Sequence, residues 1–149
     1  MKMKILVMSD SHRNTMAMGK IKDLEQPDLI LHLGDHESDC DFIFYDIRNL
    51  RVRGNCDHCS DEPDDRFLDL HPAKIWMTHG HLYGVKSGIV QLRHAALDKG
   101  ANIALFGHTH KAFFCDEGNL IIMNPGTPNK SYGIITIDNN TYDVELKYV

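Results

Sequence analysis

The chain has 149 residues, a length that suits one domain with a full-sized core. Its apolar fraction of 42% and charged fraction of 25% are those of an ordinary globular protein, and no apolar run is long enough to span a bilayer. The net charge of -5 argues against a broad basic footprint for nucleic acid, though it leaves room for a local patch.

The opening Met1-Lys2-Met3-Lys4 and the apolar Ile5-Leu6-Val7-Met8 are too short for a signal peptide and lead straight into acidic and polar residues. Lys4 to Met8 therefore reads as the first buried strand of a cytoplasmic protein. Asn14 is placed to cap a helix running to about Leu24, with Ala17, Met18, Ile21 and Leu24 on one face and Pro27 as its stop. Met16, Met18 and Met77 read as core. Asp28 to Leu33 is the second strand, Cys40 to Asp46 a short helix, and Leu50 to Arg53 the third strand. The polar, acidic stretch from Asn55 to Asp65 is a loop. Arg66 to Leu70 and Lys74 to Thr78 form a strand pair turned at His71-Pro72-Ala73. Val85, Ile89, Leu92 and Ala96 recur at helical spacing, with Gly100 as the stop, and Asn102 to Phe106 is again a strand. The remainder reads as a β meander: Ala112 to Cys115, Asn119 to Met123, Tyr132 to Ile137 and Tyr142 to Lys147, turned at Gly118 and Asn139-Asn140. This order implies an α/β fold with two sheets packed face to face and helices outside. A meander also leaves an edge strand, so a homodimer or higher homo-oligomer is compatible with it.

Five strands end alike: an apolar run stops and a metal-ligand residue type follows. Met8 leads to Ser9-Asp10-Ser11-His12, Leu33 to Gly34-Asp35, and Val52-Arg53 to Gly54-Asn55. Met77-Thr78 leads to His79-Gly80-His81, and Leu105-Phe106 to Gly107-His108-Thr109-His110. Loops beyond the carboxyl ends of strands in an α/β sheet converge on one crevice. Asp10, His12, Asp35, Asn55, His79, His108 and His110 would meet there. Their donors are anionic oxygen, amide oxygen and imidazole nitrogen, a set suited to Mn, Zn, Fe, Ni or Co rather than to Ca or Mg. Seven side chains are too many for one tetrahedral ion and suit two ions sharing a carboxylate. Taken singly, an Asp-x-His or His-x-His is more often an ordinary loop pair. The joint appearance of five such pieces is the signal.

The other histidines carry less. His32 lies within an apolar strand and reads as a satisfied core histidine, His94 as solvated, His71 as a turn residue, and His36 as either surface or a neighbour of the ligands. Cys56-Asp57-His58-Cys59 is a CxxC, but Cys40 and Cys115 are not spaced as a second zinc pair, and no thioredoxin-type context surrounds it. In a cytosolic setting all four cysteines would be reduced.

In this motif order the sequence resembles the calcineurin-like metallophosphoesterase superfamily. Asp10-x-His12, Gly34-Asp35, Gly54-Asn55-x-Asp57, His79-Gly80-His81 and Gly107-His108-Thr109-His110 carry the match across roughly the first three quarters of the chain. The short length, Gly54-Asn55-Cys56-Asp57 and Asn124-Pro125-Gly126-Thr127 look like its compact YfcE-like phosphodiesterase branch. The resemblance implies a four-layer sandwich over residues 1–149 as one metallophosphoesterase domain. It assigns Asp10, His12, Asp35 and His110 to one divalent ion and Asp35, Asn55, His79 and His108 to a second, with Asp35 bridging and manganese favoured. It also implies hydrolysis of a small-molecule phosphodiester by a metal-bridging hydroxide. Asp35, Asn55, Asp57, His81 and His108 then act at the reaction centre, with Asp57 and His81 tuning it. Many members of the superfamily carry His where Cys56 stands, and that His helps protonate the leaving group. A thiol near its free pKa is a poor match for the role, so activity is expected on activated aryl or cyclic diesters rather than alkyl ones, with His81 or His58 as substitute donors. The rival readings are a non-catalytic metal-binding scaffold for protein partners, as in relatives that have lost ligands, and a zinc- or redox-responsive module on Cys56 and Cys59. A nuclease role is a substrate variant that the acidic balance weakens.

Overall fold

A computed structural model describes residues 2–149, so the start of the first segment, Met1, lies outside the described residues. The elements in chain order are β1 (Lys2–Met8), α1 (Thr15–Glu25), β2 (Leu29–His32), α2 (Asp39–Ile43), β3 (Asn49–Arg51), β4 (Asp65–Leu70) and β5 (Ala73–Thr78). Two 3-10 turns follow (His81–Tyr83 and Val85–Ser87), then α3 (Val90–Asp98), β6 (Ile103–Leu105), β7 (Phe113–Asp116), β8 (Ile121–Asn124), β9 (Ser131–Asp138) and β10 (Thr141–Tyr148). They build two five-stranded mixed sheets, ordered β10-β9-β1-β2-β3 and β4-β5-β6-β8-β7. No helix among the described residues is long and apolar enough to cross a membrane.

The period-2 alternation of strand side chains sets the layers. Ile5 and Val7 of β1 pack with Leu31, Ile75, Met77, Leu105 and Ile135 in a core shared by the two sheets. Leu6 and Met8, one step out of phase, pack with Met18, Ile21, Cys40 and Phe44 beneath α1 and α2. On the other sheet, Trp76, Ala104 and Ile122 pack with Leu92 and Ala96 of α3. The result is the expected four-layer α/β sandwich. β1, β2 and β3 run parallel, as do β5, β6 and β8, so each sheet gathers several carboxyl ends at one edge.

Several local expectations are corrected. The late strands are not one meander. β7 and β8 form an antiparallel hairpin in the second sheet, where β8 also pairs parallel with β6. The chain then crosses to the first sheet, where β9 pairs antiparallel with β1 and β10. Ile122 packs under α3 while Met123 enters the shared core, so β8 is covered on both faces and sits inside its sheet. The helix expected from Val85 starts only at Val90, because Gly88 holds a φ of 135° that interrupts it. Asn14 does cap α1, accepting from the Ala17 amide at 3.4 Å. Met16, however, is 73% exposed, since two residues before Met18 is about 200° around the helix. Leu24 is exposed too, because the buried stripe runs Met18, Ile21, Glu25 and the acidic residue takes the core-facing place.

Candidate metal centre

Asp10 follows β1, Asp35 lies just past β2, His79 follows β5, and His108 and His110 lie just past β6. Cross-sheet hydrogen bonds lock the two edges together. The His108 amide donates to Asp10 Oδ2 at 3.0 Å, and His79 Nδ1 lies 2.7 Å from the Leu33 carbonyl. A carbonyl only accepts, so Nδ1 carries the proton and the Nε2 lone pair of the neutral ring is free to ligate.

Around that Nε2 stand acceptors. Asn55 Oδ1 is at 3.0 Å, His108 Nδ1 at 3.2 Å, Asp35 Oδ2 at 3.5 Å and Asp10 Oδ1 at 3.8 Å. On the other side of Asp35, His12 Nε2 is 3.9 Å from Oδ2 and 3.4 Å from His110 Nε2, which is itself 3.3 Å from Asp10 Oδ1. Two donor groups result, one of Asp10, His12, Asp35 and His110 and one of Asp35, His79 and His108, with donor atoms within 4.8 Å of one another in each. Asp35 belongs to both. Asp10 Oδ1 is buried without a hydrogen-bond partner, which is costly unless a cation takes the lone pairs. Convergent lone pairs with few protons between them fit divalent cations.

The protonation pattern agrees. Burial raises the Asp10 pKa. Burial also works to raise Asp35, yet His79 and the Cys56 amide, 2.9 Å from Oδ1, hold its carboxylate well below the usual range. Burial opposes charge on His79, but Asp35 and Asp10 outweigh it and raise that pKa. His108 is pushed down to about 4, by burial first and then by His79 and Lys86. The two buried carboxylates thus draw positive charge toward His79 Nε2, the side on which a cation would be held.

The backbone is unusual at the same residues. Asp10, His12, Asp35, His108 and His110 have φ of 54°, 43°, 63°, 72° and 63°. Asp and His tolerate this left-handed region better than most side chains, but each instance still costs on the order of 1 kcal/mol. Surrounding hydrogen bonds hold the loops there. Asp57 accepts from four amides: Asp35 and Gly54 on Oδ2 at 2.8 and 2.9 Å, His36 and Glu37 on Oδ1 at 2.7 and 3.3 Å. Its carboxylate is therefore committed to the loops rather than to the donor groups. Asn124 does the same for the last loop, donating to the Gly107 carbonyl at 3.1 Å and Thr109 Oγ1 at 3.0 Å while accepting from the Gly126 amide at 2.9 Å.

His32 is fully buried, and its ring joins a relay. The Gly34 amide donates to Nδ1 at 3.1 Å, so Nε2–H faces Ser11 Oγ at 2.8 Å, and Ser11 in turn donates to Asp39 Oδ2 at 2.7 Å. Asp39 also accepts from the Arg13 amide at 2.7 Å. Burial keeps His32 neutral, with its pKa pushed down to about 4. The sequence singled out neither Ser11 nor Asp39; a serine between Asp10 and His12 was the only local signal.

His81 sits at the rim, its ring 5.4 Å from His79 and 6.0 Å from His108, with a buried Nδ1 that lacks a partner. Burial and His79 lower its pKa. His36 lies beside His12, with ring centroids 4.8 Å apart and planes tilted by 60°. Cys56 is exposed, and burial of its sulfur together with Asp35 raises its pKa, so it stays a thiol at neutral pH. All four cysteines are free, and Cys56 and Cys59 belong to neither donor group.

The model of the calcineurin-like phosphoesterase superfamily domain matches residues 3–140. A probable metallophosphoesterase of Bacillus subtilis is 32% identical over 97% of this chain and 90% of its own. A phosphodiesterase of Methanocaldococcus jannaschii is 26% identical over 83% of each chain. Among solved structures, a predicted phosphoesterase of Streptococcus pneumoniae superposes with a TM-score of 0.79 at 26% identity, over 99% of this chain and 90% of that one. Vacuolar protein sorting 29 of Cryptosporidium parvum reaches a TM-score of 0.78 at 14% identity, over 99% and 98%, a likeness of fold alone.

Proposed function

Because the chain belongs to the calcineurin-like phosphoesterase superfamily, we propose that it is a divalent-metal-dependent phosphodiesterase acting on small-molecule phosphodiesters, with residues 1–149 as one catalytic domain. The observation that carries this reading is the pair of donor groups sharing Asp35. Asp10, His12, Asp35 and His110 would hold one ion, and Asp35, Asn55, His79 and His108 the other. Manganese is the favoured metal, with zinc, iron, nickel or cobalt as alternatives for the same nitrogen and oxygen donors. When bound, the ions supply an activated water at neutral pH and neutralise charge on the phosphoryl oxygens.

The chain's own part is positioning. Asp57 and Asn124 act through the loops, setting Asp35 and His108 where in-line attack needs them. His81, held neutral, can donate one N–H to a phosphoryl oxygen as charge builds there. Neither a neutral His81 nor the Cys56 thiol is a strong acid at neutral pH. Activated aryl diesters, whose aryl oxide departs without a proton, and cyclic diesters, whose ring strain eases departure, are therefore the expected substrates. The complete donor set speaks against a purely structural scaffold, the second reading.

The test compares metal-loaded wild type with Asp35→Asn on bis(p-nitrophenyl) phosphate. Losing the shared carboxylate is expected to lower kcat/KM by more than about 100-fold, since even residues behind the ligands matter at the 10- to 100-fold level. An Asp35→Asn protein working at the wild-type rate would sink the assignment. Wild type that is inactive with every divalent metal, yet holds a stable protein partner in pull-downs, would favour the scaffold.

A further inference from the structure

The loop after β6 separates the candidate metal centre from a cleft of about 610 Å³. That volume lies in the range of small-molecule sites. Val85, Phe106 and Phe113 give it an apolar wall, Lys86 and Lys111 line it as cations, and Thr109 lines it between His108 and His110. The cleft thus begins where the proposed ligands end.

Its charged lining is cationic throughout. The chain carries a net charge of -5, and Lys4, Lys22, Lys99 and Lys147 pair with carboxylates, whereas Lys2, Lys20, Lys74 and Lys130 stand apart from the cleft without an ion pair among the described residues. Lys86 and Lys111 form no ion pair among the described residues, and no carboxylate lines the cleft. Lys86 is also within electrostatic reach of His108. The wall has one fixed aromatic surface: Phe113 is about one-third exposed, and its ring packs 6.1 Å from buried Phe106 at 58°. An apolar ring surface with unpaired cations, beside a phosphoryl site, complements an aromatic group that carries an anion.

We propose that this cleft seats the organic group of the substrate, and that this group is an aromatic ring bearing a negative charge beyond that of the scissile phosphodiester. The inference rests on the phosphodiesterase reading above, since it takes the phosphoryl group to lie on the metal centre. Phe113 then selects for the ring, while Lys86 and Lys111 select for the added charge.

Calorimetric binding of phosphonates to the manganese-loaded protein tests it without turnover, because their carbon–phosphorus bond is not hydrolysed. Methylphosphonate, phenylphosphonate and 4-carboxyphenylphosphonate share one head group and differ only in what would enter the cleft. In wild type, phenylphosphonate is expected to bind about tenfold tighter than methylphosphonate, and the carboxylate to add about threefold more. Phe113→Ala should remove the phenyl advantage and leave methylphosphonate within about twofold of wild type. The double variant Lys86→Ala, Lys111→Ala changes only exposed side chains, and it should remove the carboxylate gain while keeping the phenyl advantage. Equal binding of the three ligands by wild type, or a phenyl advantage that survives Phe113→Ala, overturns the cleft assignment and leaves the metal centre standing. Binding of none overturns both.

Discussion

Gly54 shows how closely the backbone crowds the shared carboxylate. A Cβ built there would collide with Asp35 Oδ1 and stand 2.5 Å from the Asp35 amide nitrogen. Gly34, with a φ of 101°, is held as tightly, its Cβ position lying 2.7 Å from the Gly54 nitrogen and 2.8 Å from His79 Nδ1. Backbone cannot step aside as a side chain can, so an added methyl must displace Asp35 itself. Overpacking of this kind costs about 1–3 kcal/mol, but the larger effect falls on the site, where a shift of about 1 Å is worth about 100-fold in rate. Gly54→Ala is therefore expected to fold, to bind metal at least about tenfold more weakly, and to lose most of its phosphodiesterase activity. Elemental analysis after desalting and circular dichroism check the two halves. Wild-type metal content in Gly54→Ala would show that Asp35 does not need the close approach.

At the scale of elements, α1 is tied to the first sheet by an acid where a leucine was expected. Glu25, 6% exposed, accepts from Tyr132 Oη at 2.6 Å and from Lys4 and Lys147 Nζ at 3.0 Å each, joining α1 to β1, β9 and β10. Burial alone would raise its pKa, but these three partners lower it from 4.5 to about 2. Its folded value lies below the unfolded one, so the stabilisation is fully present above about pH 4.5 and is lost as pH falls toward 2. Allowing for the partly exposed lysines, Glu25→Gln should cost on the order of 2 kcal/mol at pH 7, and the gap to wild type should close as the pH is lowered. Urea midpoints at pH 7 and pH 3 measure it; a pH-independent difference would mean that shape rather than charge is at stake. Glu25 also marks what the sequence could not reveal. Its partners lie 21, 107 and 122 residues away, and no local pattern announces such a contact. The same holds for Ser11, His32 and Asp39, and for the crossing of β9 back to β1. The strand-end residues were legible for the opposite reason: an apolar run that stops at Asp or His is a short-range pattern, and parallel strands carry those ends to one edge. Asp57 was half legible, its place near the site readable from the motif but its commitment to four amides visible only once the loops are folded.

Over the whole molecule, the candidate metal centre would also act as a clasp between the two sheets. Asp10, His12, Asp35 and Asn55 come from the loops of the first sheet, and His79, His108 and His110 from those of the second. Without ions, two buried carboxylates and several lone pairs face one another, and Asp10 Oδ1 lacks a hydrogen-bond partner. Cations that bind the folded chain alone stabilise it by mass action, about 2.7 kcal/mol at 100 times Kd. For a chain of this size each kcal/mol is worth about 2–4 °C, so chelation should lower the Tm by about 5–10 °C, and manganese should restore it. Because the ligating imidazoles must be neutral and the carboxylates charged, the restored increment should shrink as pH falls, first through the raised pKa of His79 and last through that of His108, at about 4. Asp35→Asn, which removes the shared ligand, should lose most of the increment while keeping its own metal-free transition. A scan with chelator, with manganese and at two pH values reads all of this from one protein. A Tm that does not move with metal in wild type would mean that the donors do not join the sheets through a cation, and the phosphodiesterase reading would fall with them.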